Sequence, residues 1–360
     1  MEPNPTNRDS KLPMSKPISL GQAGRRGVLV EGDRVQITDP KGKMHTVILV
    51  SGGQFQSNRG ILRHDDVIGR PDGQVVDAGG GRTFQVIRPL LSDYVLSMPR
   101  GAAIIYPKDA AQIIQIADIF PGARVLESGV GSGALSLSLL SAVGDEGKLT
   151  SVELREDFAD IAAANVDLWF GARHPSWDLK VEELGEAMSQ MEDSSFDRVV
   201  LDLLDPWTFV EEVARVLEPG GVFVSYITTV PQMSRIVEAL RECGSFSEPQ
   251  AMDSTNRTWH VQGLAVRPDH RMIGHTGYLV SARRMAPGSR VHELARHPAP
   301  AAEGSTGGWE TDQEWDDASL GLRSTSAKKV RRVRRDLQAR ADTWLDAGES
   351  EDGGEGKQID

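Results

Sequence analysis

Hydrophobic and polar positions along the chain follow two different rhythms. Between about 18 and 95 they alternate over short runs. Arg34-Val-Gln-Ile-Thr38 reads as a strand, Asp39-Pro-Lys-Gly42 as a turn and His45-Thr-Val-Ile-Leu-Val50 as the returning strand. Further short apolar runs (Val67-Ile68, Gln74-Val-Val76, Thr83-Phe-Gln-Val-Ile87) are separated by glycines, and together they predict a small β-rich N-terminal domain. From about 108 to 286 the rhythm changes to strands alternating with helices. Strands are predicted over 124–127, 148–153, 197–202, 221–227 and 278–282, and helices over 109–119, 135–142, 157–169, 208–217 and 232–243. Glu218-Pro-Gly-Gly221 closes one helix and launches the next strand. Repeated βα units predict an α/β fold, a mostly parallel twisted sheet with helices on both faces.

The ends differ in kind. Residues 1–17, rich in Pro, Asn, Ser, Lys and Asp, are expected to be disordered and lack the apolar stretch of a signal peptide. Past about 288 the chain turns to Ala, Pro, Gly, Ser and acid around one basic run, Lys328-Lys-Val-Arg-Arg-Val-Arg-Arg335. This 288–360 tail is expected to be largely disordered, with one short helix around 327–347, and dispensable for activity. The domain plan is therefore 18–95, 96–287 and the two tails. One cysteine, Cys243, fits a reducing cytoplasm. No run approaches the ~18 apolar residues of a membrane span, and the eight histidines have no metal-ligand spacing, so no metal is expected. The net charge of −12 argues against a polyanionic partner. Charge is uneven, however: Arg25, Arg26, Arg59, Arg63, Arg70, Arg82, Arg88, Arg100 and Lys108 make the first third locally cationic.

The candidate chemistry begins at Val125-Leu-Glu-Ser-Gly-Val-Gly-Ser-Gly-Ala134. A strand runs into Gly129, Gly131 and Gly133, and a helix follows. Gly129 to Ala134 satisfies G-x-G-x-x-A, and Glu153 ends the next strand twenty positions after Gly133, where an acid can accept ribose hydroxyls. On these facts a nicotinamide dinucleotide fits. Three details favour S-adenosylmethionine. Glu127, just before the glycines, would repel a pyrophosphate but attract a sulfonium cation. Glu183, after a third strand around Leu179 and Val181, can present an acid to adenine. The fourth strand also ends in acid, at Asp202 and Asp205. Ligands sit at the carboxyl ends of strands in open α/β sheets, so Asp202 should face the glycine loop. Asp205, before Pro206, is expected to cap the following helix.

Glu127-Ser-Gly-Val-Gly-Ser-Gly133, Glu153 and Leu201-Asp-Leu-Leu-Asp-Pro-Trp207 resemble class I S-adenosylmethionine-dependent methyltransferases. Within that class, Met98-Pro-Arg-Gly-Ala-Ala-Ile-Ile-Tyr-Pro-Lys-Asp109 is similar to the segment joining the two domains of tRNA (adenine-58-N1)-methyltransferases. Arg88-Pro-Leu-Leu-Ser-Asp-Tyr94, Ser234–Leu240, Trp259–Pro268 and His275–Val280 extend the likeness over roughly 18–287. The resemblance implies a Rossmann-like methyltransferase domain behind the small β domain, a cytoplasmic homotetramer, tRNA as partner and N1-methyladenosine in the T-loop as product. By motif matching it implies Asp202 as catalytic acid and Tyr106 as the aromatic beside the target base. It further implies that Gly129, Gly131, Ser132, Gly133, Glu153, Glu183 and Asp202 line the cofactor site, to which the charge argument adds Glu127 and the glycine pattern Ala134. Two other readings belong to different classes: a noncatalytic RNA-binding subunit, against which the intact loop, Glu153 and Asp202 argue, and a protein-directed methyltransferase, which has no use for an acid opposite the methyl. Trp259-His260 is expected in the core or at a subunit contact.

Overall fold

A computed structural model describes residues 25–289, 291 and 328–337. Its contacts divide into two units, the first comprising the described residues up to Arg88 with 169–172, the second the remainder.

The first unit holds a four-stranded antiparallel sheet in the order β2-β1-β6-β5 (β1 Arg34–Thr38, β2 Met44–Ile48, β5 Gln74–Asp77, β6 Thr83–Ile87) and a separate hairpin of β3 (Gln54–Ser57) and β4 (Gly60–Arg63). Alternation buries one face: Leu29, Val35, Ile37, Leu49, Leu62, Phe84 and Val86 form its core. The β1–β2 turn is closed by Asp39, whose carboxylate accepts the N–H groups of Lys41 and Lys43 (2.8 and 2.9 Å).

The second unit opens with α1 (Leu91–Ser97) and α2 (Pro107–Ile116), then alternates β7 (Arg124–Ser128), α3 (Ala134–Val143), β8 (Lys148–Glu153), α4 (Glu156–Phe170), β9 (Trp177–Val181), α5 (Leu184–Ser189), β10 (Phe196–Leu201), α6 (Val210–Val216), β11 (Leu217–Ile227) and α7 (Val230–Cys243). β12 (Gln250–Met252), the hairpin β13–β14 (Trp259–Gln262, Ala265–Pro268) and β15 (Tyr278–Arg283) follow. The large sheet runs β12-β15-β11-β10-β7-β8-β9. β7 to β11 pair in parallel, and β15 joins β11 antiparallel. Chain order departs in opposite directions from the adjacent pair β7 and β10, the switch point at which open α/β sheets bind ligands.

Three local expectations change. The helix predicted over 208–217 is a 3-10 turn (Pro206–Phe209) followed by the short α6. Asp205 precedes that turn, yet its side chain makes no cap bond; its carbonyl accepts Thr208 N–H instead (3.1 Å). The Glu218-Pro-Gly-Gly221 turn lies inside the assigned β11 as a register shift, Phe196 facing Leu217 while Arg198 faces Val222. In the tail, 328–337 forms a helix (α8) within the span expected to hold one, and its Val330, Val333 and Leu337 pack on Phe158 and Ile161 of α4. The expectations for residues 1–17, 292–327 and 338–360 lie outside the described residues. No described helix is long and apolar enough to cross a membrane.

Candidate active site

The glycine loop is shaped by what it touches. Gly129 has φ +85°, and a Cβ there would overlap the carbonyl of Asp202. Only glycine lets the tips of β7 and β10 approach this closely. The Asp202 N–H donates to Ser128 O at 2.8 Å, continuing the β10–β7 ladder one residue past the end of β10. Asp202 is thereby fixed beside the loop, at the carboxyl end of its strand. Gly133, at φ +79°, faces Ala162 of α4 at 3.2 Å from its would-be Cβ, so the loop also needs glycine to lie against that helix. Ala134 begins α3 and is buried.

The predicted acids converge unevenly. Glu153, at the end of β8, accepts Gly131 N–H through one carboxylate oxygen (2.9 Å) and Arg155 N–H through the other (3.1 Å). Glu127 lies inside β7, 1% exposed, under the loop. The Ser136 hydroxyl donates to it (2.8 Å), as does the Ser151 hydroxyl (2.6 Å), and Trp177 Nε1–H donates to Ser151 Oγ (2.9 Å). Burial pushes the Glu127 carboxyl up to about 7 despite the two hydroxyls, and the nearby Glu153 charge adds to the rise. Asp202 is pushed up to about 7 by burial and by the charges of Glu127 and Glu153. Glu127 and Asp202 thus each lie within electrostatic reach of Glu153. Glu183 is occupied differently: it is the N-cap of α5, its carboxylate accepting Glu186 N–H at 2.9 Å. The Ser132 hydroxyl accepts Gly101 N–H (3.2 Å), tying the loop to the segment that leads to Tyr106.

Tyr106 is the N-cap residue of α2, half-buried, with Pro107 at the first helical position. Several partners of the site carry no signal in the sequence. Asn165 of α4, fully buried, donates to Pro99 O (2.8 Å) and Ser132 O (3.0 Å) and so joins linker to loop. Tyr226, near the end of β11, lies close enough to Asp202, Asp109 and Tyr106 for their charges, after its burial, to push its phenol above the usual range. Asp109, 1% exposed, accepts Lys108 Nζ–H (2.6 Å), Ser254 Oγ–H (3.0 Å) and Thr276 Oγ1–H (2.6 Å). Lys108 also donates to Ser254 O at 2.7 Å. Lys108 and Arg88 therefore leave the set of cations available to phosphate. Arg88 is spent within its own unit on Asp33, Asp72 and the carbonyls of Gly27 and Val28.

A loop that admits close backbone approach, with buried acids below and beside it, suits a cationic nucleoside cofactor and opposes a pyrophosphate. Comparison with known proteins agrees. The profile of a family described as the tRNA methyltransferase complex GCD14 subunit matches residues 84–267, and a TrmI-like N-terminal profile matches 27–76. The chain belongs to the GCD14/TrmI family of tRNA methyltransferases. It is 34% identical over 249 residues to the tRNA (adenine(58)-N(1))-methyltransferase TrmI of Thermus thermophilus, covering 69% of this chain and 95% of that protein. It is 30% identical to the Methanocaldococcus jannaschii tRNA (adenine(57)-N(1)/adenine(58)-N(1))-methyltransferase TrmI, over 69% of this chain and 93% of that one. Among solved structures, TrmI of Aquifex aeolicus superposes with a TM-score of 0.64 at 26% identity, covering 72% of this chain and all of that one. A SAM-dependent O-methyltransferase of Thermotoga maritima gives 0.68 at 28% identity, over 75% and 99%. The fold is thus a Rossmann-like methyltransferase behind a TrmI-like N-terminal domain, and the cofactor is S-adenosylmethionine.

Proposed function

We propose that this protein methylates N1 of adenosine 58 in the T-loop of tRNA. The observation that carries the reading is the seat of Asp202: an acid held at the tip of β10 against Gly129, within reach of the charges of Glu127 and Glu153. When bound, S-adenosylmethionine supplies a methyl already activated by a sulfonium. Gly129, Gly131, Gly133 and Ala134 shape its bed, Ser132 fixes the bed to Gly101, and Glu153 is the acceptor for ribose. Glu127 adds negative potential from beneath, and Glu183 is the acid on the adenine side. The residues' part in passing that methyl to N1 would be to hold the base for in-line attack, a positioning worth ~7–11 kcal/mol.

N1 lies on the Watson–Crick edge, so the target base leaves its stack at a cost of roughly a few kcal/mol. Tyr106 offers a ring against which the extruded base rests. Asp202 accepts the exocyclic N6–H, which distinguishes adenine from guanine, and its charge stabilises the purine as it becomes cationic. Exposed arginines of the first unit, Arg25, Arg26, Arg63, Arg70 and Arg82, contact phosphates.

The chain works as a cytoplasmic homotetramer. Supporting self-association is the β13–β14 hairpin, which carries Trp259, Val261, Leu264 and Val266 exposed by 54 to 103%. So much contiguous apolar surface marks an interaction site. The deciding experiment is incubation with labelled S-adenosylmethionine and unmodified tRNA, followed by nucleoside analysis. Label in N1-methyladenosine at 58 is expected; label elsewhere, or none, refutes the reading.

A further inference from the structure

The basic run of the tail is not a loose charged segment. Within α8, Val330, Val333 and Leu337 recur at i, i+3 and i+7 and are all buried, against Phe158 and Ile161 with Ala102, Ala164 and Leu168 beside them. A Cβ at Gly101 would stand 3.2 to 3.4 Å from Ile161, Phe158 and Val330, so α8 closes directly over this position. Gly101 is the residue whose N–H holds Ser132 of the cofactor loop. Arg334 points back and pairs with Asp160 of α4. The apolar side and one arginine therefore seat the helix on the catalytic unit.

What remains is the outer side. Lys328, Arg331, Arg332 and Arg335 stand at i, i+3, i+4 and i+7, all exposed, and line one shallow surface depression. Lys328–Arg332 and Arg331–Arg335 are like-charge i, i+4 pairs, and Arg335 also lies 3.8 Å from the carboxylate of Asp336. The four cations span ~10 Å along the helix axis at 1.5 Å per residue. A membrane is a poor match, because a helix that lies on lipid inserts its apolar face, and here that face is already covered by α4.

We propose that the outer face of α8 is a docking strip for the sugar-phosphate backbone of tRNA, held in place beside the segment that braces the cofactor loop. The inference rests on the tRNA-methylating function proposed above and adds to it a phosphate site. It also reverses the expectation that the tail is dispensable.

The test uses the full chain and a variant with Lys328→Ala, Arg331→Ala, Arg332→Ala and Arg335→Ala. tRNA binding is measured between 50 and 200 mM salt, S-adenosylmethionine binding is measured in parallel as a check on folding, and turnover is followed at saturating tRNA. The variant is expected to bind tRNA roughly tenfold or more weakly at the lower salt, with a log–log salt slope shallower by about three, since each lost phosphate contact removes ~0.7–0.9. Cofactor affinity and turnover at saturating tRNA stay within about twofold of the parent, in keeping with a contact to phosphate alone. Equal tRNA affinity and slope in parent and variant would overturn the proposal. So would loss of binding to phosphatidylserine vesicles with tRNA binding unchanged. A second variant, Val333→Asp, keeps all four cations but breaks their seat, and most of the same affinity should go; full retention would show that the seated strip is not the site. A parent chain that fails to methylate tRNA refutes the broader function, whereas a methylating parent with an indifferent quadruple variant refutes this inference alone.

Discussion

Asp202 is the residue on which the proposed chemistry turns. It is held by backbone on both sides, donating its own N–H to Ser128 and pressing its carbonyl against Gly129, so its side chain can be changed without moving its Cα. Asp202→Ala and Asp202→Asn should each lower turnover by about 10²–10³-fold, the size typical of removing one preorganised electrostatic partner. Both should retain the parent's thermal midpoint to within a few degrees; single-turnover kinetics with tRNA check the first point and calorimetry the second. The raised acids make a separate prediction. Asp202 and Glu127 both rise to about 7, so near neutrality each is only partly ionised. Binding a sulfonium cation favours the ionised forms, and by linkage ionisation favours binding. Affinity for S-adenosylmethionine should therefore increase as pH rises from 6 to 8. Affinity for S-adenosylhomocysteine, whose sulfur is neutral, should rise less, and in Asp202→Asn the increase should be smaller than in the parent. Isothermal titration across that range reads the result; a parent affinity that fell with pH would contradict the assignment.

Among the elements, the N-terminus of α2 and the strap from 253 to 277 form a unit of their own. Asp109 and Lys108, neighbours at the start of the helix, hold Ser254 at one end of the strap and Thr276 at the other. The pair is nearly buried, Lys108 by all but 10% of its side chain. Asp109→Ala leaves that ammonium without its partner and should cost about 3–5 kcal/mol, the range for breaking a buried ion pair. Urea denaturation measures the loss. Tyr106 lies two residues before Lys108, so at temperatures where the variant remains folded its KM for tRNA should increase before its cofactor affinity does. The β13–β14 hairpin at the middle of the same strap buries none of its residues.

At the scale of the whole molecule, association and charge decide the behaviour. A chain of 39.2 kDa with an apolar hairpin so exposed should elute as an oligomer. Light scattering should give a mass near four chains, and Val261→Asp with Leu264→Asp should reduce it, because charge in a buried apolar contact goes unpaired. A monomeric parent at micromolar concentration would remove the tetramer from the picture. The net charge of −12 coexists with an RNA substrate because cations are not spread evenly. Exposed arginines gather in the first unit and on α8, while Arg88 and Lys108 serve the fold.

Alternation, helical periodicity and punctuation by glycine and proline are local properties, and they were enough for the hairpin at 34–50, the repeated βα units and the glycine loop. Placing Asp202 opposite that loop also followed from sequence, because parallel strands bring their carboxyl ends to one edge whatever the loops do. Side-chain partnerships over long separations were not legible. Asn165 reads as an ordinary polar residue in a helix until Pro99 and Ser132 arrive beside it, and that Glu183 also caps α5 shows only once the helix turns and offers it an N–H. Lys108 and Arg88 look like free cations because nothing local reveals the acids that take them. The tail misleads for a related reason: its basic composition suggests a solvated segment, and three apolar residues at helical spacing become a core only when α4 provides the other half. Periodicity is written in neighbours along the chain, whereas burial, pairing and raised acidity constants depend on which distant groups share a volume, and only folding in three dimensions decides that.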